Sequence, residues 1–164
     1  MAGDKRFRLP LILAALVAIL DQASKWWVVK TLSPGQEQEV IPGFFNLVHV
    51  HNFGAAFSFL NRGGIGWQRY FFIAVSILAV CLILYLIKTA RGGNKLLFIG
   101  YGLIMGGALG NLVDRVRVGH VTDFLDVYVG KYHWPSFNVA DSGISVGACC
   151  LILSLLFWNK SANA

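Results

Sequence analysis

Charged residues are scarce in this chain. Of its 164 residues only 13% are Asp, Glu, Lys or Arg, whereas 56% are hydrophobic and the mean hydropathy is +0.62. Soluble domains are about 25% charged. This shortage excludes an ordinary water-soluble domain, because too few charges are present to cover its surface. It predicts that lipid solvates much of the molecule.

Cysteine is also scarce, and no metal-binding spacing is present. The three cysteines, Cys81, Cys149 and Cys150, fall within apolar stretches, so they are interpreted as small packing residues and not as a disulfide or zinc framework. His49 and His51 alternate on a predicted strand and so face one side together, but no third ligand follows at a suitable spacing. The sequence therefore predicts neither a metal site nor a cofactor.

What the chain does have is four apolar stretches of membrane-spanning length. They cover residues 9–29, 70–87, 96–113 and 139–158. A helix of about 20 residues reaches about 30 Å, the thickness of the hydrocarbon core of a bilayer. We therefore predict a single integral membrane domain over residues 1–164, mainly α, built as a four-helix transmembrane bundle.

The first stretch has a second interpretation as a secretory signal peptide, since basic residues precede its apolar run. No small-residue cleavage site follows, and the chain continues through Asp21 and Lys25 into Trp26-Trp27. We therefore expect an uncleaved helix. Asp21 and Lys25 are four residues apart with the acid first, the favourable order for an ion pair along a helix. A structural pair is the expectation, and contact with a functional site is the alternative.

Two outer segments, residues 30–69 and 114–138, separate the spans. Aromatic and β-branched residues over Phe44–Phe59 predict one or two strands bent at Asn52-Phe53-Gly54. A small β-sheet platform between helices 1 and 2 follows from this pattern. The stretch Asn61–Trp67 is expected to close over a site beneath the platform.

Three glycines recur at four-residue spacing in the third apolar stretch, at Gly102, Gly106 and Gly110. On a helix they form one stripe, which lets the backbone of a neighbouring helix approach closely. Space for a substrate beside Gly106-Gly107 is the alternative interpretation.

Basic residues predict the orientation, because they concentrate in the segments that face the cytoplasm. With the N-terminus inside, the inner segments hold seven basic residues and one acidic residue: Lys5, Arg6, Arg8, Lys88, Arg91, Lys95, Lys160 and Asp4. The rest of the chain carries no net charge, so the whole formal charge of +6 lies on the inner side. Both termini are therefore expected in the cytoplasm, and the high pI does not indicate nucleic-acid binding.

Two aspartates stand beside the last two spans: Asp123 in the run Val-Thr-Asp-Phe, and Asp141 in the run Phe-Asn-Val-Ala-Asp. A carboxylate at the edge of the bilayer is costly unless it is paired or used. Two carboxylates in a poorly solvated site share one proton, so one takes a proton from water while the other gives a proton to a carbonyl oxygen. This pairing predicts amide hydrolysis without a covalent intermediate.

Other aspartates leave alternatives open. Asp126 lies three residues after Asp123, and spacing alone does not separate them. Asp141 also fits a carboxylate that only stabilises the start of a helix. Asp114 is next to Arg115 and is expected in a salt-bridged helix end.

Five short runs together resemble the lipoprotein signal peptidases, also called signal peptidase II. They are Asp21-Gln-Ala-Ser-Lys25, Asn52-Phe-Gly-Ala-Ala-Phe57, Gly107-Ala-Leu-Gly-Asn-Leu-Val-Asp-Arg115, Val121-Thr-Asp-Phe124 and Phe137-Asn-Val-Ala-Asp-Ser142. The runs occur in the order of the family and span nearly the whole chain. Each run alone is weak, but five in order are specific.

The resemblance implies an intramembrane aspartic endopeptidase of the bacterial inner membrane, with its active site on the periplasmic side. Such enzymes remove the signal peptide from prolipoproteins whose cysteine carries a diacylglyceryl group, and they cut just before that cysteine. Prolipoprotein substrates and membrane lipids are then the expected partners, with no obligate protein partner and no nucleic acid.

The resemblance also assigns residues. It implies Asp123 and Asp141 as the catalytic pair, in preference to Asp126. Four polar residues match positions around that pair, where they would orient the substrate backbone or the aspartates: Asn52, Asn111, Arg115 and Asn138. Asp21 and Lys25 match a motif with a structural role.

Two other classes of function remain as alternatives at this stage. A small proton-coupled transporter would use Asp21, Asp123 and Asp141 as a proton relay. Four spans make a thin pathway, however, and no inverted repeat is visible in the sequence. A membrane adaptor would bind partners through the outer β segment and would keep its function after loss of both aspartates.

Overall fold

Four long helices dominate the computed structural model, which describes residues 5–54, 66–90 and 94–162. They are α1 Lys5–Thr31, α2 Trp67–Thr89, α3 Lys95–Arg117 and α4 Val139–Ala162. In this described part, all four are long and apolar enough to cross a membrane. The predicted four-helix bundle is confirmed. Each helix also begins or ends outside its predicted span, and α3 extends far enough to include Asp114 and Arg115.

Four strands form one antiparallel sheet at one end of the bundle. They are β1 Glu37–Ile41, β2 Phe45–Asn52, β3 Val121–Val129 and β4 Tyr132–His133, paired in that order. The predicted small sheet is confirmed, but only half of its strands come from the segment between α1 and α2. β3 and β4 come from the segment between α3 and α4, so the sheet joins the two halves of the chain.

The bend predicted at Asn52-Phe53-Gly54 coincides with the end of β2. There the side-chain oxygen of Asn52 accepts a hydrogen bond from the backbone N–H of Gly54 at 2.9 Å. A second predicted strand beyond the bend, and the covering stretch that begins at Asn61, lie outside the described residues.

α3 is the central helix. Half of its apolar stretch is buried inside the protein, against 22% for each of the other three helices. The predicted glycine stripe explains how the others come so close. A Cβ at Gly102, Gly106 or Gly110 would come within 2.8 Å of atoms on α1, the last of them on Asp21. The stripe therefore packs helices within this chain.

The sheet is fixed onto the bundle by a small apolar cluster. Val28 and Leu32 at the end of α1 pack with Phe124 of β3, and all three are at least 96% buried. Many other large apolar side chains of α1, α2 and α4 are exposed, as expected of surfaces in contact with lipid. Cys81 and Cys149 are exposed, so their small side chains lie on the outer surface of the helices.

Candidate active site

Two aspartates on different elements open into one cavity. Asp123 lies near the start of β3, and Asp141 lies in the first turn of α4. The cavity has a volume of about 450 Å³. Its wall includes five of the six polar residues that the sequence analysis assigns to this region: Asn52, Asn111, Arg115, Asp123 and Asp141. The fold therefore gathers β2, α3, β3 and α4 around one space.

The start of α4 explains the position of Asp141. Asn138 precedes the helix, and its side-chain oxygen accepts a hydrogen bond from the backbone N–H of Asp141 at 2.9 Å. The Asp141 carboxylate in turn accepts one from the backbone N–H of Asn138 at 3.3 Å. This reciprocal pair is a capping box, which satisfies two backbone donors at the helix start. The run Phe-Asn-Val-Ala-Asp thus encodes a helix start that holds Asp141 at the cavity.

A side chain of α1 binds another backbone N–H at the start of α4. The N–H of Ala140 donates to Oδ1 of Asp21 at 2.9 Å, although the two residues are 119 positions apart. Asp21 is fully buried. Its Oδ2 lies 2.8 Å from the ammonium of Lys25, so the two residues form the ion pair that their spacing predicts. This pair connects α1 with the helix that carries Asp141.

Asn138 and Asn111 link the two aspartates. The amide nitrogen of Asn138 donates to Oδ1 of Asp123 at 2.7 Å and to Oδ1 of Asn111 at 3.3 Å. The amide nitrogen of Asn111 donates to Oδ1 of Asp141 at 2.8 Å. Asn138 is completely buried and does not line the cavity, so it binds the aspartates from the protein interior.

Asp123 has the more enclosed environment, with an exposure of 2%. Pairing of β2 with β3 brings Asn52 beside it, and the amide nitrogen of Asn52 donates to its Oδ2 at 2.9 Å. Burial raises the pKa of Asp123 from 3.8 to about 7, and the charge of Asp141 adds to the rise, although the amide hydrogen bonds oppose it. Asp123 therefore keeps its proton into the neutral pH range.

Arg115 supplies a positive charge beside the pair. Its guanidinium interacts with the charges of Asp141 and Asp123 and lies over the Phe72 ring, 4.9 Å from the ring centroid. It also donates to the backbone oxygen of Gly54 at 3.1 Å. Arg115 thereby fixes the turn that follows β2 as well as the electrostatics of the cavity.

Strand geometry separates Asp123 from Asp126. Side chains alternate along a strand, so residues three apart lie on opposite faces. Asp126 accepts a hydrogen bond from the amide of Asn46 at 3.0 Å, and Nδ1 of His133 lies 2.9 Å from it. It is not among the described residues that line the cavity. The sheet therefore places Asp123 on the cavity wall and Asp126 on the opposite face, a difference in position that the spacing alone does not give.

Asp114 is salt-bridged, but its partner is not the neighbouring Arg115. Its Oδ2 lies 2.8 Å from the ammonium of Lys25 on α1. The same carboxylate accepts hydrogen bonds from the amide of Gln22 at 2.9 Å and from the backbone N–H of Thr122 at 3.3 Å. Asp114 therefore joins α1, α3 and β3, a role that the local sequence does not reveal.

Part of the cavity wall was not predicted from the sequence. The remaining wall residues are Val121 on β3, Trp134, Pro135, Ser136 and Phe137 after β4, and Ser142, Ser145 and Val146 on α4. They are uncharged, and the available signal is their closeness to the runs that contain Asp123 and Asp141. The backbone of Phe137 exchanges hydrogen bonds of 2.8 and 3.0 Å with Leu125 of β3, so this wall continues the sheet.

Three of the four histidines, His49, His51 and His120, lie together outside the cavity wall, whereas His133 contacts Asp126. Nδ1 of His49 lies 2.8 Å from the backbone oxygen of Leu32, and the His51 ring lies 3.9 Å from the ring of His120, centroid to centroid. Burial lowers the pKa of both His51 and His120. Among the described residues, no group of three or more His, Cys, Asp or Glu has the geometry of a metal site.

This geometry can be compared with known proteins. A family model described as signal peptidase (SPase) II matches residues 13–157, which is most of the chain. The chain belongs to the signal peptidase II family. It is therefore a protease of the lipoprotein signal peptidase type, and this membership decides against the transporter and adaptor alternatives.

Curated members of the signal peptidase II family are similar over nearly their full length. The lipoprotein signal peptidase of Oleidesulfovibrio alaskensis is 51% identical over 150 residues, which cover 92% of this chain and 96% of that protein. The lipoprotein signal peptidase of Cupriavidus taiwanensis is 50% identical over 155 residues, covering 94% and 86%.

Solved structures agree with the signal peptidase II assignment. A bacterial membrane enzyme solved by the in meso method at 2.3 Å resolution superposes with a TM-score of 0.82 at 32% identity, covering 93% of this chain and 90% of that one. A second, at 1.9 Å resolution, has a TM-score of 0.79 at 33% identity, covering 90% and 92%. The chain is thus a multi-pass membrane protein of this fold.

Proposed function

We propose that this peptidase acts on prolipoproteins whose cysteine carries a diacylglyceryl group, that it cuts just before that cysteine, and that Asp123 and Asp141 are its catalytic residues. The observation that carries the assignment is the single cavity in which two carboxylates meet in unlike surroundings. One is buried and has a raised pKa, and the other lies in the first turn of a helix. Family membership supplies the reaction class.

In the proposed mechanism the Asp141 carboxylate takes a proton from a water molecule, whose oxygen attacks the carbonyl carbon of the scissile amide. Protonated Asp123 gives its proton to the carbonyl oxygen. The gem-diol intermediate then collapses. The C–N bond breaks, the leaving amine takes the proton from Asp141, and a hydroxyl returns a proton to Asp123. The pair ends in its starting state.

Four neighbours support these steps in the proposal. Asn52 and Asn138 hold the two oxygens of Asp123 through hydrogen bonds of 2.9 and 2.7 Å, and Asn111 holds Asp141. Fixed amide donors of this kind cost no reorganisation during the reaction. Arg115, on the cavity wall, is positioned to bind a backbone carbonyl of the substrate and to offset the negative charge of the pair.

The proposed location is the bacterial inner membrane, with both termini in the cytoplasm and the cavity facing the periplasm. Charge distribution supports this orientation, because the net charge of +6 lies in the segments predicted to be inside. Tryptophans near the sheet end mark the position of the membrane surface on that side, since exposed tryptophan favours the interface. They are Trp26, Trp27, Trp67 and Trp134.

Fusions to the C-terminus test this orientation. If the C-terminus is cytoplasmic, a fluorescent-protein fusion should be bright and an alkaline phosphatase fusion should be inactive.

The test of substrate and site uses the purified protein in detergent and a synthetic prolipoprotein, with and without the diacylglyceryl group, followed by gel shift. We expect cleavage of the lipidated form only, and its loss in both Asp123→Asn and Asp141→Asn. Equal cleavage of both forms would show that the enzyme does not require the lipid group. Full activity of a well-folded Asp141→Asn protein would contradict the proposed mechanism.

A further inference from the structure

Lys25 contacts an amide oxygen in addition to the carboxylates with which it forms ion pairs. Its ammonium is buried at 3% exposure and lies 2.8 Å from Oδ2 of Asp21 and 2.8 Å from Oδ2 of Asp114. The two carboxylates already compensate its charge. It nevertheless donates a third hydrogen bond, of 3.0 Å, to the side-chain oxygen of Asn111. This third contact leads towards the aspartate pair.

The contact determines how the Asn111 amide is turned. An ammonium can only donate hydrogen bonds, so the oxygen of the amide must face Lys25. The amide of Asn138 donates to the same oxygen at 3.3 Å. The Asn111 nitrogen is therefore directed to the other side, where it donates to Oδ1 of Asp141 at 2.8 Å. If the amide were reversed, its oxygen would face the carboxylate and repel it.

The same chain of contacts reaches the second aspartate. Asn138, bound to the Asn111 oxygen, also donates to Oδ1 of Asp123 at 2.7 Å. A buried positive charge thus stands one amide away from Asp141 and two amides away from Asp123. Buried charges are screened less than exposed ones, so this charge acts on both carboxylates.

We propose that Lys25 is a positioning residue for the aspartate pair: it orients Asn111 towards Asp141, and its charge stabilises the single negative charge that the pair shares. This inference deepens the proposed function and rests on it. It gives the Asp21–Lys25 run a task in the reaction besides its part in helix packing.

Charged groups on four elements lie around Lys25 and the aspartate pair. Asp21 is on α1, Asp114 and Arg115 are on α3, Asp123 is on β3, and Asp141 is on α4. The positive charge of Lys25 opposes the rise in the pKa of Asp123 that burial and Asp141 cause. Removal of that charge should therefore move the titration of Asp123 to higher pH.

The test compares Lys25→Met, which removes the charge, with Lys25→Arg, which keeps it. Lys30→Met is the matched control, since Lys30 is exposed near the end of the same helix. Each protein is labelled with ¹³C at the aspartate carboxyl carbons, and Asp123→Asn identifies the Asp123 signal. The pH dependence of the carboxyl shifts and of kcat/KM on the lipidated peptide is then measured.

For Lys25→Met we expect at least a tenfold loss of kcat, and an upward shift of about one pH unit in both the Asp123 titration and the alkaline limb of kcat/KM. Lys25→Arg should leave the titration in place, and Lys30→Met should change nothing. A Lys25→Met protein of lowered thermal stability with unchanged titration and pH profile would make Lys25 purely structural and overturn the inference.

If Lys25→Met does not fold, a double-mutant cycle of Lys25→Arg and Asn111→Ala decides. Action through Asn111 predicts that Lys25→Arg lowers kcat/KM in the wild-type background and has no further effect after Asn111→Ala. Equal fold-changes in both backgrounds would overturn the inference. Where Lys25→Met folds, absence of cleavage by the wild type, with the Asp123 titration shifted in Lys25→Met and unchanged in Lys25→Arg, would reject the proposed substrate and leave the link between Lys25 and the pair intact.

Discussion

Asn138 and Asp141 cap one another at the start of α4, so a residue proposed to be catalytic is also part of the signal that begins its helix. Asn138 accepts from the backbone of Asp141 at 2.9 Å, and Asp141 accepts from the backbone of Asn138 at 3.3 Å. Position and chemistry of the carboxylate are therefore encoded by the same two side chains. Because the two roles coincide, a variant of either residue should change both stability and activity, and a control variant is needed to tell the two effects apart.

Asn138→Ala should lose both functions of the side chain. Loss of the cap is expected to cost about 1–2 kcal/mol of unfolding free energy, and loss of the donor to Asp123 should lower kcat at least tenfold. Asn94→Ala is the matched control, because Asn94 caps α3 through a 2.9 Å bond from the N–H of Leu97, far from the cavity. Thermal denaturation and peptide cleavage should show similar destabilisation of both proteins and loss of activity in only the first. Equal activities would contradict the role of Asn138.

Asp123→Asn and Asp126→Asn should differ sharply although they are three residues apart on one strand. Asp123→Asn removes the acid of the proposed mechanism, and we expect a loss of kcat of about 10³-fold or more. Asp126 lies on the other face of β3, against Asn46 and His133, so its variant should stay within about twofold of wild type in kcat. Single-turnover cleavage of the lipidated peptide measures both. An inactive, folded Asp126→Asn protein would count against the assignment.

Activity should fall as pH rises through about 7. The pKa of Asp123 is raised to about 7, first by burial and then by the charge of Asp141, and the proposed mechanism needs this residue protonated. The alkaline limb of kcat/KM reports the titration of the pair as a unit. A profile measured with the lipidated peptide in mixed buffers should show this limb, and a flat profile from pH 6 to 9 would contradict the proposed acid.

Stability should depend on pH through the same residue. The unfolded carboxyl titrates near 3.8 and the folded one near 7, so between these values the folded state binds more protons and stability falls as pH rises. Asp123→Asn removes this contribution, and the decline in melting temperature between pH 4 and 7 should become shallower than in the wild type. Asp126→Asn is again the control: its melting temperature should decline between pH 4 and 7 as steeply as that of the wild type.

Gly110→Ala should disturb the site from a distance. A Cβ at Gly110 would meet Oδ2 of Asp21 at 2.6 Å, and Asp21 in turn holds the backbone of Ala140. We expect a loss of about 1–3 kcal/mol in stability together with lower activity. At Gly66, where a Cβ would have nothing within 4 Å, the same substitution should have little effect. Melting curves and cleavage rates of the two variants provide the comparison.

The spans were predictable because the bilayer imposes one length and one composition on every crossing helix. The aspartate pair was predictable as a class because carboxylates are rare and costly in such a chain. The choice between Asp123 and Asp126 is implied by the family resemblance but does not follow from spacing, since it depends on whether their segment is a strand or a helix. Residues three apart share a face on a helix and take opposite faces on a strand.

Contacts between residues far apart in the chain could not be predicted from the sequence either. Nothing local in the sequence indicates that Lys25 meets Asn111, which lies 86 residues later, or that Asp21 holds the N–H of Ala140. Likewise, β3 and β4 join β1 and β2 only because the bundle brings two separate segments to the same end. Pairings of this kind follow from the packed helices and not from periodicity.

The pairing of Asp21 with Lys25 within one helix has a consequence for synthesis. α1 leaves the ribosome long before α3 and α4 exist, and the oxygens of Asp114 and Asn111 are not yet there to receive Lys25. Because acid and base are one turn apart, the first helix carries the counter-ion of Lys25 into the membrane with it, and the pair adds no net charge to the span. The aspartate pair that we propose to be catalytic is completed only when the last helix arrives, because Asp141 lies in its first turn, so the proposed activity is expected only of a finished chain.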